Sequence, residues 1–269
     1  INNSLNTTLS FSFVYGFNMK IEGIALGTML SQIITFIISV VMWQKLYGRL
    51  SKYTVKSSIF ERNAIRKFFK VNGDVFVRTF LLTLVTTFFT FVSSQMGDMI
   101  LAANALLMQF FMLFSYFMDG LAYAGEALTG RFTGAQNPLL LRNMLKRLFF
   151  WGFVISAFSA IIYIFFPSQI LNILTNDKEV IEVTKSFITW TVLIPITGFA
   201  AFLWDGVFIG ATASKEMRNA MVFSSFTFFI CYYISTPYMG NNGLWLSFIL
   251  YLIVRGVTQT IWAKKALNI

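Results

Sequence analysis

Histidine is absent from this 269-residue sequence, cysteine occurs once, and only 12% of residues carry charge. Each shortage closes a class of function. With no histidine and with Cys231 alone in an apolar run, neither a disulfide framework nor a Cys/His zinc site can form, and histidine acid–base chemistry is excluded. No phosphate-cradling loop ending in Gly-Lys-Ser/Thr is present, which disfavours an ATP-driven pump. A membrane-embedded transferase or hydrolase would need a paired nucleophile and base, and no such pair is evident. No catalytic residue, metal site or cofactor is therefore expected.

What the chain has in excess is apolar surface. It is 57% hydrophobic with 32 phenylalanines, and its mean hydropathy of +0.69 is too high for a soluble domain of this size. The composition predicts an all-α, polytopic membrane protein. Apolar runs long enough to cross a bilayer, about 20 residues, fall at 24–43, 71–94, 99–128, 148–166, 183–211, 220–238 and 244–262. An eighth run, 5–17, is shorter than a full span and has no charged segment or small-residue cleavage site before it. The expectation is a chain beginning inside a helix, not a signal peptide.

The formal charge of +10 is explained by its distribution. A basic connector, residues 44–70, carries Lys45, Arg49, Lys52, Lys56, Arg62, Arg66, Lys67 and Lys70. Its second half alternates Phe60, Ile65, Phe68 and Phe69 with charges, as an amphipathic helix on the membrane surface would. If that connector is cytoplasmic, alternation of spans puts Arg131, Arg142, Lys146, Arg147, Lys215, Arg218, Lys264 and Lys265 on the same side. Only Lys20, Lys178 and Lys185 fall opposite, and Arg78 and Arg255 lie within spans. This positive-inside pattern predicts an inner-membrane, multi-pass protein with a cytoplasmic C-terminus. A nucleic-acid partner is not expected, because the cations are scattered over loops with no stacking platform.

The richest stretch is 97–135. Tyr116, Asp119, Tyr123 and Glu126 fall on one face of its helix at 100° per residue. A charge in a membrane span costs on the order of 2.5–3.5 kcal/mol, so this stripe should face protein or water. The two carboxyls cannot neutralise each other, and burial disfavours a charged carboxyl, so proton uptake is an expected property of the stripe. Arg131, close to Glu126 in sequence, offers that residue a structural alternative. Asp74 and Arg78 stand four apart, acid first, a spacing that favours an intrahelical structural ion pair. Asp205 lies mid-span with Gly206 and Gly210 after it, which would permit close helix approach. Asn104 and Gln109 suit interhelical hydrogen bonds or a ligand, and Pro195 predicts a kink in its span.

The first and last full spans share a pattern, a polar turn ending in Gly23 or Gly243, a span, then Trp43-Gln-Lys or Trp262-Ala-Lys. Any span ending at a cationic interface can look this way. Read as a repeat, the pattern has a period of six helices, as in transporters built from parallel lobes, with about four helices expected upstream. The segments NGDVFVRT (72–79), LAANALLMQFFMLFSYFMDGLAYAGEALTGRFTGA (101–135) and WDGVFIGATASKEMRNAM (204–221) together resemble the multidrug and toxic compound extrusion (MATE) transporters, nearest to their DinF-like branch. The resemblance implies a 12-helix fold of two six-helix lobes. Residues 1–43 would be the last two helices of the N-lobe, 44–70 a cytoplasmic connector and 71–269 the six-helix C-lobe.

The same resemblance implies a secondary active antiporter that exports organic or cationic amphipathic compounds in exchange for H⁺ or Na⁺ by alternating access. The aspartate that the DinF-like branch carries in its first helix has no counterpart here. The glutamate of the sodium-linked branch is missing from the corresponding run, 78–92. Asp205 stands where the family's tenth helix bears an aspartate, so Asp205 and Asp119 are the leading coupling candidates. Membrane lipids and a small organic substrate are the expected partners, and the missing N-lobe would be required for a complete cavity. The alternative within the superfamily is a lipid-linked oligosaccharide flippase, which expects a basic central cavity.

Overall fold

In the computed structural model, residues 2–49 and 61–267 are described. The chain divides into two compact units, Ile1–Ile65 and Arg66–Ile269. In the first, α1 (Asn2–Phe11) runs through a π-helical turn (Ser12–Gly16) and reverses into α2 (Ile21–Tyr47). The stripe Gly23, Gly27, Ser31 is all that α2 buries. A side chain at Gly27 would meet Ser10, whose backbone nitrogen lies 2.8 Å from the Cβ position. Small residues at i, i+4 and i+8 are how helices approach closely in lipid. The rest of α2 is an apolar surface.

The helix α3 (Arg62–Gln95) carries residues 62–70 as its opening turns, continuous with the span that follows. The surface helix expected there is thus not a separate element, since no proline or capping residue interrupts the run. Lys52, Lys56 and Phe60 lie outside the described residues. The second unit continues with α4 (Asp98–Gly134), α5 (Pro138–Phe165), two short helices α6 (Pro167–Leu174) and α7 (Lys178–Lys185), then α8 (Ile188–Gly210), α9 (Ser214–Met239) and α10 (Asn241–Leu267). Among the described residues seven helices, α2, α3, α4, α5, α8, α9 and α10, are long and apolar enough to cross a membrane.

Turn chemistry sets the reversals. Gly97 takes φ +104 between α3 and α4, a conformation open to glycine and strained for other residues. Asn137 caps α5 by accepting from the Leu140 nitrogen at 3.1 Å, with Pro138 at the first helical position. The expected single span 183–211 is broken. Asp177 caps α7, and the chain turns at Ser186–Phe187 before α8 begins. Pro195 stands inside an unbroken α8, depriving the Thr191 carbonyl of its helical donor.

Helix α8 is the most enclosed of the spans and packs against α4, α5 and α10. Its approach to α4 rests on Gly206 and Gly210, whose Cβ positions fall on the Ala122 and Glu126 carbonyls. Helix α3 is held instead by long aromatic side chains. Phe89 meets Trp245 at 4.9 Å between ring centroids, and Phe88 meets Phe229 at 5.1 Å, edge-to-face contacts each worth about 0.5–1.5 kcal/mol beyond area burial. Lipid tails are as apolar as these rings, so packing geometry and polar joints, not water exclusion, fix the helices.

One such joint is Asn104. Its amide nitrogen donates to Ser93 Oγ (2.8 Å) and Asn241 Oδ1 (2.7 Å), and its oxygen accepts from Asn241 Nδ2 (3.0 Å) and Trp245 Nε1 (2.9 Å), tying α3, α4 and α10. Asn104→Leu would strand these buried groups at about 1–3 kcal/mol each. The expected result is a lower melting temperature in detergent, where Leu107→Met, a volume-conserving core change, should cost far less.

Candidate substrate cavity

Four helices of the second unit converge on a cavity of about 460 Å³. Helix α4 supplies Tyr116, Asp119, Tyr123 and Glu126, the stripe that helical periodicity predicted, all four on one wall. Helix α3 supplies Arg78, α8 supplies Asp205 and α10 supplies Arg255. The tyrosines are exposed, while Asp119 and Glu126 are half-buried.

The charges pair differently from their spacing in sequence. Asp74 and Arg78 do not form the expected intrahelical pair. Asp74, 4% exposed, accepts from Arg218 (2.5 Å) and from Ser214 (2.9 Å), both in the first turns of α9. Arg78 crosses to Asp205. The physical reason is that a surface-type i, i+4 pair yields only about 0.2–0.5 kcal/mol, whereas a buried carboxylate left without a full complement of donors costs several times more.

Asp205 therefore sits at the centre of a polar clamp. Arg78 and Arg255 both donate to its Oδ2, and Gln259 donates to Oδ1 at 2.6 Å. Arg255 is 2% exposed and Gln259 1%, and the Arg255 guanidinium lies 5.7 Å from the Phe202 ring centroid. The clamp joins α3, α8 and α10. The expectation that Asp205 faces the cavity is met in position, but its charge is already matched.

Asp119 and Glu126 differ from Asp205 in this respect. Among the described residues neither is in an ion pair, and Glu126 has not been taken by Arg131. Asn104 and Gln109 line a separate cavity of about 280 Å³ beside α3, away from the carboxylates. The functional residues that sequence reasoning passed over are Arg255 and Gln259. Two signals pointed to them. An arginine within a span calls for a named partner, and Gln259 stands one turn from Arg255 on the same helical face.

The MatE family model matches residues 75–234, which take in most of this site. The chain belongs to the MatE family. It is 29% identical over 271 residues to DNA damage-inducible protein F of Escherichia coli K12, covering 100% of this chain and 58% of that protein. Against the chloroplastic Protein DETOXIFICATION 45 of Arabidopsis thaliana it is 23% identical, covering 98% of this chain and 47% of the relative. Among solved structures, the bent form of the Vibrio cholerae MATE transporter VcmN matches with a TM-score of 0.80 at 18% identity, over 100% of this chain and 61% of that one. A MOP superfamily transporter from Pyrococcus furiosus matches with 0.83 at 17% identity, over 99% and 61%. At these identities the structural likeness carries the fold alone. This MatE chain is an all-α, multi-pass membrane protein spanning about half to three-fifths of the length of these relatives.

Proposed function

We propose that this MatE chain forms one lobe, with two helices of the other, of a secondary active antiporter in the inner membrane. It would export organic or cationic amphipathic compounds in exchange for H⁺ or Na⁺, with its C-terminus on the cytoplasmic side. The observation that carries the reading is the placement of Asp119 and Glu126, in no ion pair among the described residues, beside Tyr116 and Tyr123 in one cavity. A carboxylate supplies charge to a cation, and a tyrosine ring supplies a face for it. A proton and a cationic substrate would compete for Asp119, which couples outward movement of one to inward movement of the other. The opposing wall would come from the remainder of the N-lobe, and alternating access from rocking of the two lobes.

Asp205 takes a different part in this scheme from the one its position in the resemblance suggested. A cation approaching it would have to displace a guanidinium, so its role is to hold α3, α8 and α10 in register around the cavity. A flippase for lipid-linked oligosaccharides would need a net basic cavity. The cavity lining sets two arginines, Arg78 and Arg255, against three carboxyls, Asp119, Glu126 and Asp205, so its formal balance is not basic.

In the full-length protein reconstituted in vesicles with an imposed pH gradient, Asp119→Asn is expected to lower efflux of a fluorescent organic cation at least tenfold, about 1.4 kcal/mol, while leaving the melting temperature unchanged. Unchanged proton-driven efflux in that variant would remove Asp119 from the mechanism.

A further inference from the structure

In the second unit the helices α4 and α5 leave an open groove of about 470 Å³. Its lining is mostly apolar, with Leu121 and Leu128 from α4 and Leu148 and Trp151 from α5, and its polar groups are Asn143 and Arg147. Asn143, Arg147 and Trp151 stand at i, i+4 and i+8, one row along the helix. The stretch of sequence from the end of α4 through α5 carries charge of one sign. Between Glu126 and Asp177 the sequence has no carboxylate side chain, yet it holds Arg131, Arg142, Lys146 and Arg147. Among the described residues none of these four is in an ion pair.

We propose that this groove is a binding site for one anionic phospholipid, its phosphate on Arg147 and Asn143 and an acyl chain along the apolar lining past Trp151. Depth supports this occupant. Arg147 is about 14 Å along the axis from Pro138, at 1.5 Å per residue. A centred α5 of 28 residues would leave roughly 6 Å outside a hydrocarbon core of about 30 Å, so the Arg147 backbone lies below the ordinary level of headgroups. Its guanidinium must reach up or draw a phosphate down, and the groove gives that phosphate's lipid a seat. Basic pockets between membrane helices take anionic headgroups on this principle, each basic residue contributing about fivefold in affinity. Trp151, 57% exposed, stands one turn deeper than Arg147 and offers the acyl chain an apolar ring face.

The test is native mass spectrometry of the delipidated full-length protein, titrated with phosphatidylglycerol or with phosphatidylcholine of the same acyl chains. The expected result is one retained phosphatidylglycerol bound about tenfold more tightly than phosphatidylcholine. Arg147→Gln should weaken phosphatidylglycerol about fivefold, and Leu128→Trp, which fills the groove without changing charge, should weaken it as well. The double substitution Lys264→Gln with Lys265→Gln, which removes charge from the same end of the lobe, should leave it unchanged. Equal retention of the two lipids would mean that no anionic headgroup is recognised, an equal effect from the lysine pair would mean bulk electrostatics, and either result would overturn the site. Phosphatidylglycerol affinity that survives Leu128→Trp would place the lipid elsewhere and overturn it too.

Discussion

Gly206→Leu is expected to prevent the second unit from assembling. A Cβ built at Gly206 falls 2.1 Å from the Ala122 carbonyl oxygen, 2.7 Å from its carbon and 2.9 Å from its Cα. All three are backbone atoms of a helix, so no rotamer change relieves the contact, and α8 must move bodily away from α4. Overpacking a core typically costs about 1–3 kcal/mol when side chains can give way. Here they cannot, and the expected loss exceeds about 3 kcal/mol. Size-exclusion chromatography of the detergent-extracted variant should show an aggregate or no peak. Gly120→Ala on α4, where the new Cβ meets nothing within 4 Å, should be neutral or gain up to about 1 kcal/mol from helix propensity. A normal elution profile for Gly206→Leu would show that the two helices can separate, and the packing argument would fall.

The second large effect belongs to the clamp. Asp205→Asn removes the one negative charge facing two guanidiniums, of which Arg255 is 2% exposed and Arg78 opens in part to the cavity. Breaking a buried ionic group by deleting one partner costs about 3–5 kcal/mol, because the charge left behind is uncompensated. Arg255→Met leaves Arg78 and Asp205 as a one-to-one pair and should cost much less. The double variant Asp205→Asn with Arg255→Met retains only Arg78, the better solvated arginine, and should recover more than half of the Asp205→Asn loss. Thermal unfolding of the four proteins checks the order, and additivity of the two single effects within about 0.5 kcal/mol would refute charge pairing as the cause. A consequence for transport assays follows. Loss of efflux in Asp205→Asn reports damage to the frame, whereas loss in Asp119→Asn with intact stability reports on the cavity.

How far these results were legible in the chain depends on the distance over which each interaction acts. Most span positions, the polar stripe of α4 and the close approach at Gly206 and Gly210 follow from period, hydropathy and residue size, all local properties, and apart from the start of α3 and the broken run 183–211 the structure has them where the sequence puts them. The family was legible as well, since its motifs lie within single segments. The break before α8 was harder, because Ser186 and Phe187 carry no strong stop signal and the cap at Asp177 sits upstream of the apolar run it interrupts.

Charge partnership is where local reasoning gave the wrong answer. Four-residue spacing suggested Asp74 with Arg78, yet Asp74 pairs 144 residues away with Arg218 and Arg78 pairs 127 residues away with Asp205. For Asn104 the sequence left interhelical hydrogen bonding and ligand contact open, and its four hydrogen bonds close on Ser93, Asn241 and Trp245. From its amino acids alone the chain is fixed as a bundle of membrane helices with acidic groups turned inward, because hydropathy and helical period act residue by residue. Which acids are clamped and which stay free is settled by packing α3, α4, α8 and α10 together, because a charge out of water takes the partner that reaches it in space.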